Sequence, residues 1–214
     1  MTTPLPGRAR TTTSTDASGD AATTSSGLEL HRWRRLDWRF LVPTVGWTRV
    51  ACGGAVDDEL RAALPLLGAD LHEASSASDW RALSGSCDVV VLVHPTPDDL
   101  RWAVTATRPG GWVYAEVRRA TTWTRPRSLL GWHSALRRAG LEDVSAHWHD
   151  PDPQNAKQIV PVDVRAAVRH AMLSNRGPRG GLRNTVGRVL LTAGLFPLAV
   201  PAGSVLGRRP GGNA

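Results

Sequence analysis

The chain has 214 residues, 41% of them hydrophobic and 21% charged, enough for one substantial core but short for two independent α/β domains, and far from a disordered composition. Its two cysteines, Cys52 and Cys87, lack the CxxC or ligand spacing of a disulfide scaffold or zinc site, and a reducing cytoplasm suits them best. The formal charge of +7 is a property of the C-terminal region, where eight arginines and no acid follow Asp163 and leave the remainder close to neutral.

Residues 1–27 are mostly Thr, Ser, Ala, Gly and Asp, too poor in aliphatic side chains to order themselves, so a disordered N-terminal arm is expected. It has no apolar run of the kind a signal peptide needs. The lead-in segment 28–47 brings Leu30, Trp33, Trp38 and Phe40, which can pack a short element against a domain before Pro43 ends it.

From residue 48 the pattern alternates. TRVACGG (48–54) is a short apolar strand ending in a tight turn at Gly53-Gly54. VDDELRAALPLLG follows with Leu60, Ala63, Leu64 and Leu67 at helical spacing, acids Asp57 and Asp58 near the helix start, and Pro65 as a kink or stop. ADLHEA (69–74) is a second strand, and DWRAL (79–83) gives a helical turn. CDVVVLVHP (87–95) is apolar on both faces, which is the signature of a central parallel strand.

The helix predicted within 98–111 stops at Pro-Gly-Gly, and GWVYAEV (111–117) is the next strand. SLLGWHSALRRAG (128–140) turns Leu129, Trp132 and Leu136 to one side, and LEDVSAHWHD (141–150) is a further strand. Strands alternating with helices imply a largely parallel sheet with right-handed crossovers.

The succession CDVVVLVHP, helix, RPGGWVYAEV, then LRRAGLEDV resembles the class I S-adenosylmethionine-dependent methyltransferases: their fourth strand, the "LxPGG" turn into the fifth, and the "LxxAGF" helix into the sixth. The resemblance covers about 105 residues. HWHDPDPQNAKQIVPVD is similar to a stretch in methyltransferase-like proteins of bacterial surface-polysaccharide clusters. The resemblance implies a Rossmann-like, doubly wound, mostly parallel sheet over 48–160. Within the basic region over 161–209, the resemblance implies a helix around 182–194 and AGSVLGRR returning as a final antiparallel strand, and a short disordered tail is expected at 210–214.

It further implies S-adenosylmethionine as cofactor. Cys52, Gly53 and Gly54 would line its turn and Glu73 would accept its ribose hydroxyls. The turn departs from GxGxG, because Ala55 and Val56 stand where another glycine is expected. A plain strand-to-helix turn and an ordinary strand-end carboxylate remain the alternatives for these positions.

His94, just past the central strand, is the candidate catalytic base and a cofactor neighbour. His147, His149 and Asp150 form the candidate substrate loop, read as a solvated strand end with Trp148 turned inward and no metal assigned. Around VDVRAAVRHAML (162–173), Val164, Val168 and Met172 share one side and Arg165 and Arg169 another, so the 162–194 region is a candidate for peripheral contact with an anionic membrane.

Nucleic acid is not expected, since no reader motif accompanies the arginines. The leading reading is a cytoplasmic methyltransferase acting on a small-molecule or saccharide acceptor. The alternative is a cofactor-free, methyltransferase-like partner or regulator at the membrane.

Overall fold

The computed structural model describes residues 29–44, 46–119, 126, 128–174, 189–192 and 194–211. The expected N-terminal arm, most of the helix expected near 182–194 and the last residues of the tail lie outside them.

A helix over 29–35 (α1) and a 3-10 turn, Asp37–Leu41, precede the sheet. Then come β1 (Arg49–Gly54), α2 (Asp58–Ala63), β2 (Asp70–Ala74), α3 (Ala77–Ala82), β3 (Cys87–Val93) and α4 (Pro97–Ala106). They are followed by β4 (Thr107–Arg118), α5 (Leu129–Arg138), β5 (Glu142–Asp150), β6 (Gln158–Pro161) and α6 (Arg165–Ser174). Residues 189–192 are helical (α7), and α8 (Phe196–Ala199) and β7 (Ala202–Arg208) complete the order.

The seven described strands form one sheet in the order β2-β1-β3-β4-β7-β5-β6. β2, β1, β3 and β4 are parallel, and β7 runs antiparallel between β4 and β5. This is the Rossmann-like architecture with a reversed last strand that the sequence resemblance implies.

The local causes are visible in the chain. All seven residues of β3 are buried, as a strand covered on both faces must be. Asp57 caps α2 through the Leu60 amide, and Thr96 and Ser76 make capping boxes with Asp99 and Asp79. Pro65 ends α2 and the chain tightens into a 3-10 turn, Leu64–Leu67. Strand β4 begins earlier than expected, so Arg108-Pro-Gly-Gly belongs to the strand rather than to a loop before it.

Two apolar layers flank the sheet. Helices α3 to α6 pack one face with Trp80, Leu100, Trp132, Leu136 and Val168. The lead-in segment and α2 cover the other through Leu36, Trp38, Leu60 and Leu64, which meet Val89, Val91 and Tyr114. Val168, Ala171 and Met172 of α6 are buried in the core. Of the three apolar residues expected to meet a membrane, Val168 and Met172 are therefore packed inside the protein, and Val164 stays exposed beside Arg165 and Arg169.

Candidate functional site

The C-terminal ends of parallel strands are where open α/β sheets bind ligands. Here that edge gathers Gly53-Gly54 from β1, Glu73 from β2, His94 after β3, Glu116 from β4 and Asp150 from β5. Counted from the last residue of its strand, Glu73 and His149 lie one position inside, Cys52 two and His147 three, and His147 is level with Glu116 because both pair with Ser204.

At the first turn, Cys52 pairs in register with Glu73, and Gly53 with Ala74. A Cβ on Gly53 would stand 2.5 Å from a Trp80 ring carbon and 2.9 Å from the Ala74 carbonyl. Gly54 has φ +83 and presses against the Val93 carbonyl, which also accepts the Ala55 amide at 2.8 Å. Packing inside the fold thus requires both glycines and uses that amide. The Cys52 thiol is buried and pushed up to about 11, by burial first and then by the charge of Glu73. It stays protonated at neutral pH.

Glu73 lies 46% exposed at the end of β2. Arg61 of α2 holds both of its oxygens, Nε to Oε2 at 3.0 Å and Nη2 to Oε1 at 2.8 Å, and keeps the carboxyl below its usual range. Nucleoside chemistry fits this group: it is ionised, bidentate and open to solvent, and an exposed ion pair is easily exchanged. The turn beside it fits less well, because its glycine faces are already filled. Recognition there would rest on Glu73.

His94 has a left-handed backbone, φ +49, and donates its amide to the Glu116 carbonyl at 2.8 Å. That link fixes the residue between β3 and β4 at the edge, with its side chain half-buried.

The two histidines of β5 differ from expectation. His147 and His149 are buried rather than solvated, on the face that the lead-in segment covers. Trp148 points to the opposite face and meets Phe196 edge-on at 5.4 Å. The His149 Nε2 lies 2.8 Å from the Ser204 hydroxyl. Burial, then the nearby charges of His147 and Arg35, push His149 down to about 3, and burial lowers His147 also. Both are neutral imidazoles at neutral pH. Beyond them, Asp150 precedes a cis bond to Pro151, and its carbonyl accepts the Lys157 amide at 2.8 Å.

The strongest electrostatic feature was not singled out in the sequence. Arg35 of α1 is 1% exposed and donates to both oxygens of the fully buried Glu116, at 2.5 and 2.8 Å, and to Asp57 at 3.0 Å. Burial works against the Arg35 charge, but the two carboxylates outweigh it and raise its pKa. Tyr114 stands 3.4 Å from Glu116, so a polar strip runs from Asp57 through Arg35, Glu116 and Tyr114 toward Ser204 and His149. The available signal was one acid in the apolar run GWVYAEV. Among the described residues no three His, Cys, Asp or Glu side chains gather as metal ligands would.

No family model matches the chain, and no curated protein sequence does. Solved structures resemble it at low identity. A SAM-dependent methyltransferase from Archaeoglobus fulgidus is 12% identical with TM-score 0.48, over 84% of this chain and 94% of that one. One from Thermotoga maritima is 8% identical with TM-score 0.44, over 89% and 95%. Haemonchus contortus phosphoethanolamine N-methyltransferase 2, solved with S-adenosyl-L-methionine, is 13% identical with TM-score 0.44 over 86% of this chain. The chain spans 57% of that enzyme.

Proposed function

We propose that the protein is an S-adenosylmethionine-dependent methyltransferase acting on a small-molecule or saccharide acceptor. The observation that carries the reading is Glu73, an ionised and half-exposed carboxylate at the end of β2, in register with the last buried residue before the Gly53-Gly54 turn. A carboxylate there can accept both hydroxyls of a ribose once Arg61 swings aside. When bound, the cofactor would supply an electrophilic methyl group.

The chain's own residues would do the rest. His94, held at the edge by the Glu116 carbonyl, is placed to take a proton from an acceptor hydroxyl. Asp150, at the end of β5, would meet the acceptor from the other side of the edge, with His147 and His149 as neutral support behind it. Transfer itself asks mainly for alignment in a dry cleft. The setting in this reading is the cytoplasm, and among the described residues of the 162–194 region Arg165 and Arg169 are the cations that could meet anionic lipid.

Calorimetry with S-adenosylmethionine tests the proposal. The expected result is micromolar binding that Glu73→Gln weakens at least about tenfold and that Arg61→Ala tightens, since Arg61 competes for the same oxygens. A folded protein that binds nothing at millimolar ligand overturns the reading and leaves a methyltransferase-like fold without its cofactor.

A further inference from the structure

The lead-in segment sorts its side chains into two sets. Arg35, Leu36 and Trp38 are buried, whereas Phe40 is 72% exposed, Leu30 56% and Trp33 37%. The sequence pattern has Leu30, Trp33 and Phe40 packing inward with Trp38, but Leu30 and Trp33 lie on the outer side of α1, and Phe40, two positions past Trp38 in the 3-10 turn, faces solvent. Leu30, Trp33 and Arg34 stand at i, i+3 and i+4 and so form one stripe on α1. Arg39 joins the stripe to Phe40, its guanidinium lying 5.0 Å from the Trp33 ring centroid and 4.4 Å from that of Phe40.

Cations outnumber acids on this patch. Among the described residues, no carboxylate pairs with Arg34, which is exposed, or with Arg39, which is half-buried. Glu29 is exposed on the same helix and is outnumbered. Rings lying at a water boundary with guanidinium groups beside them match the two layers of an anionic membrane surface. Aromatic bodies seat among headgroups, and cations meet phosphates. No described helix is long and apolar enough to cross a bilayer, so such contact lies in the interface plane.

We propose that this patch docks the protein on an anionic lipid surface, with Trp33 and Phe40 entering the headgroup region and Arg34 and Arg39 pairing with lipid phosphates. The patch supplies an apolar anchor broader than the 162–173 segment can, because Val168 and Met172 are in the core and only Val164 of its apolar side is exposed. The assignment stands independently of the methyltransferase reading.

The test is sedimentation of the full chain with vesicles of phosphatidylcholine alone and of equal parts phosphatidylcholine and phosphatidylglycerol. Binding is expected to the anionic vesicles only. Trp33→Ser with Phe40→Ser keeps every charge and should lower partitioning by about tenfold or more; Arg34→Gln with Arg39→Gln should do the same. A chain of charge +7 adsorbs on anionic surfaces through charge alone, so unchanged partitioning of the serine double variant overturns the proposal.

A second measurement does not depend on how that variant folds. Cys52 and Cys87 are buried, so Phe40→Cys takes a polarity-sensitive dye selectively, and its emission should move to the blue on anionic vesicles. Unmoved emission from vesicle-bound protein overturns the assignment. Self-association that the serine pair abolishes, without vesicle binding, also overturns it and gives the patch to a second copy of the chain.

Discussion

Arg35 and Glu116 lie 81 positions apart in the chain and form a two-pronged ion pair with almost no solvent access. The pair ties the lead-in helix to the C-terminal end of β4, while Asp57 ties it to the start of α2. Removing Arg35 would strand a buried carboxylate, whereas removing both groups would leave none.

Arg35→Ala is therefore expected to cost about 3–5 kcal/mol, and adding Glu116→Ala should return part of the loss. Urea unfolding of the two single variants and the double variant measures this. Strictly additive losses would mean that the pair is not coupled.

Gly53→Ala should destabilise by about 1–3 kcal/mol, because the new methyl meets both the Trp80 ring and the Ala74 carbonyl. Gly54→Ala should cost more, since its φ of +83 and the Val93 carbonyl both oppose a side chain. Thermal melts rank the two. A Gly53→Ala protein as stable as wild type would show that the ring moves aside freely.

His149 gives a pH dependence with a definite sign. Its folded pKa of about 3 lies below the ordinary histidine value of 6.5, so the unfolded chain binds the extra proton between those values. The stabilisation is complete above pH 6.5 and falls by up to about 1.4 kcal/mol for each pH unit below it, down to about pH 3. Unfolding free energies at pH 7, 6 and 5 should decline, and His149→Gln should flatten the His149 part of that slope. A variant with the wild-type slope would assign the proton elsewhere.

Asp88 locks the opposite edge of the sheet. It accepts from the Thr48 amide at 2.7 Å, the Thr48 hydroxyl and Arg49 amide at 2.8 Å, and Arg108 at 2.5 Å. Burial opposes its charge, but these donors win and hold its pKa below 3.8, so its contribution is present above that pH and lost as acid titrates it. Asp88→Asn should lower the melting temperature at pH 7, and the difference from wild type should shrink toward pH 3. A constant difference would argue against the charged form.

The elements were legible where one physical pattern dominated. The unbroken aliphatic run of β3 and the one-sided Leu129, Trp132 and Leu136 of α5 each specify an element without outside help. Strand β6 was not legible: four residues, Gln158–Pro161, carry no period, and their strand character comes from pairing with β5. Glu73 and His94 could be placed at the strand ends because their positions follow from strand length. The Arg61 grip on Glu73 and the Arg35–Glu116 pair could not, because residue types reveal a need for partners but not which partner the fold brings near. The buried state of His149 likewise depends on Ser204, 55 positions away.

Strand β7 completes the middle of the sheet although it is the last of the seven described strands in chain order. Residues 202–208 fill the gap between β4 and β5, and the neighbouring Arg209 bonds the carbonyls of Val104 and Thr105 at 3.1 Å. On the ribosome, the leaf of β1 to β4 and the hairpin of β5 and β6 must therefore wait side by side as unjoined halves. A nonsense codon ahead of residue 202 would leave them so, with two raw edges open to other nascent chains.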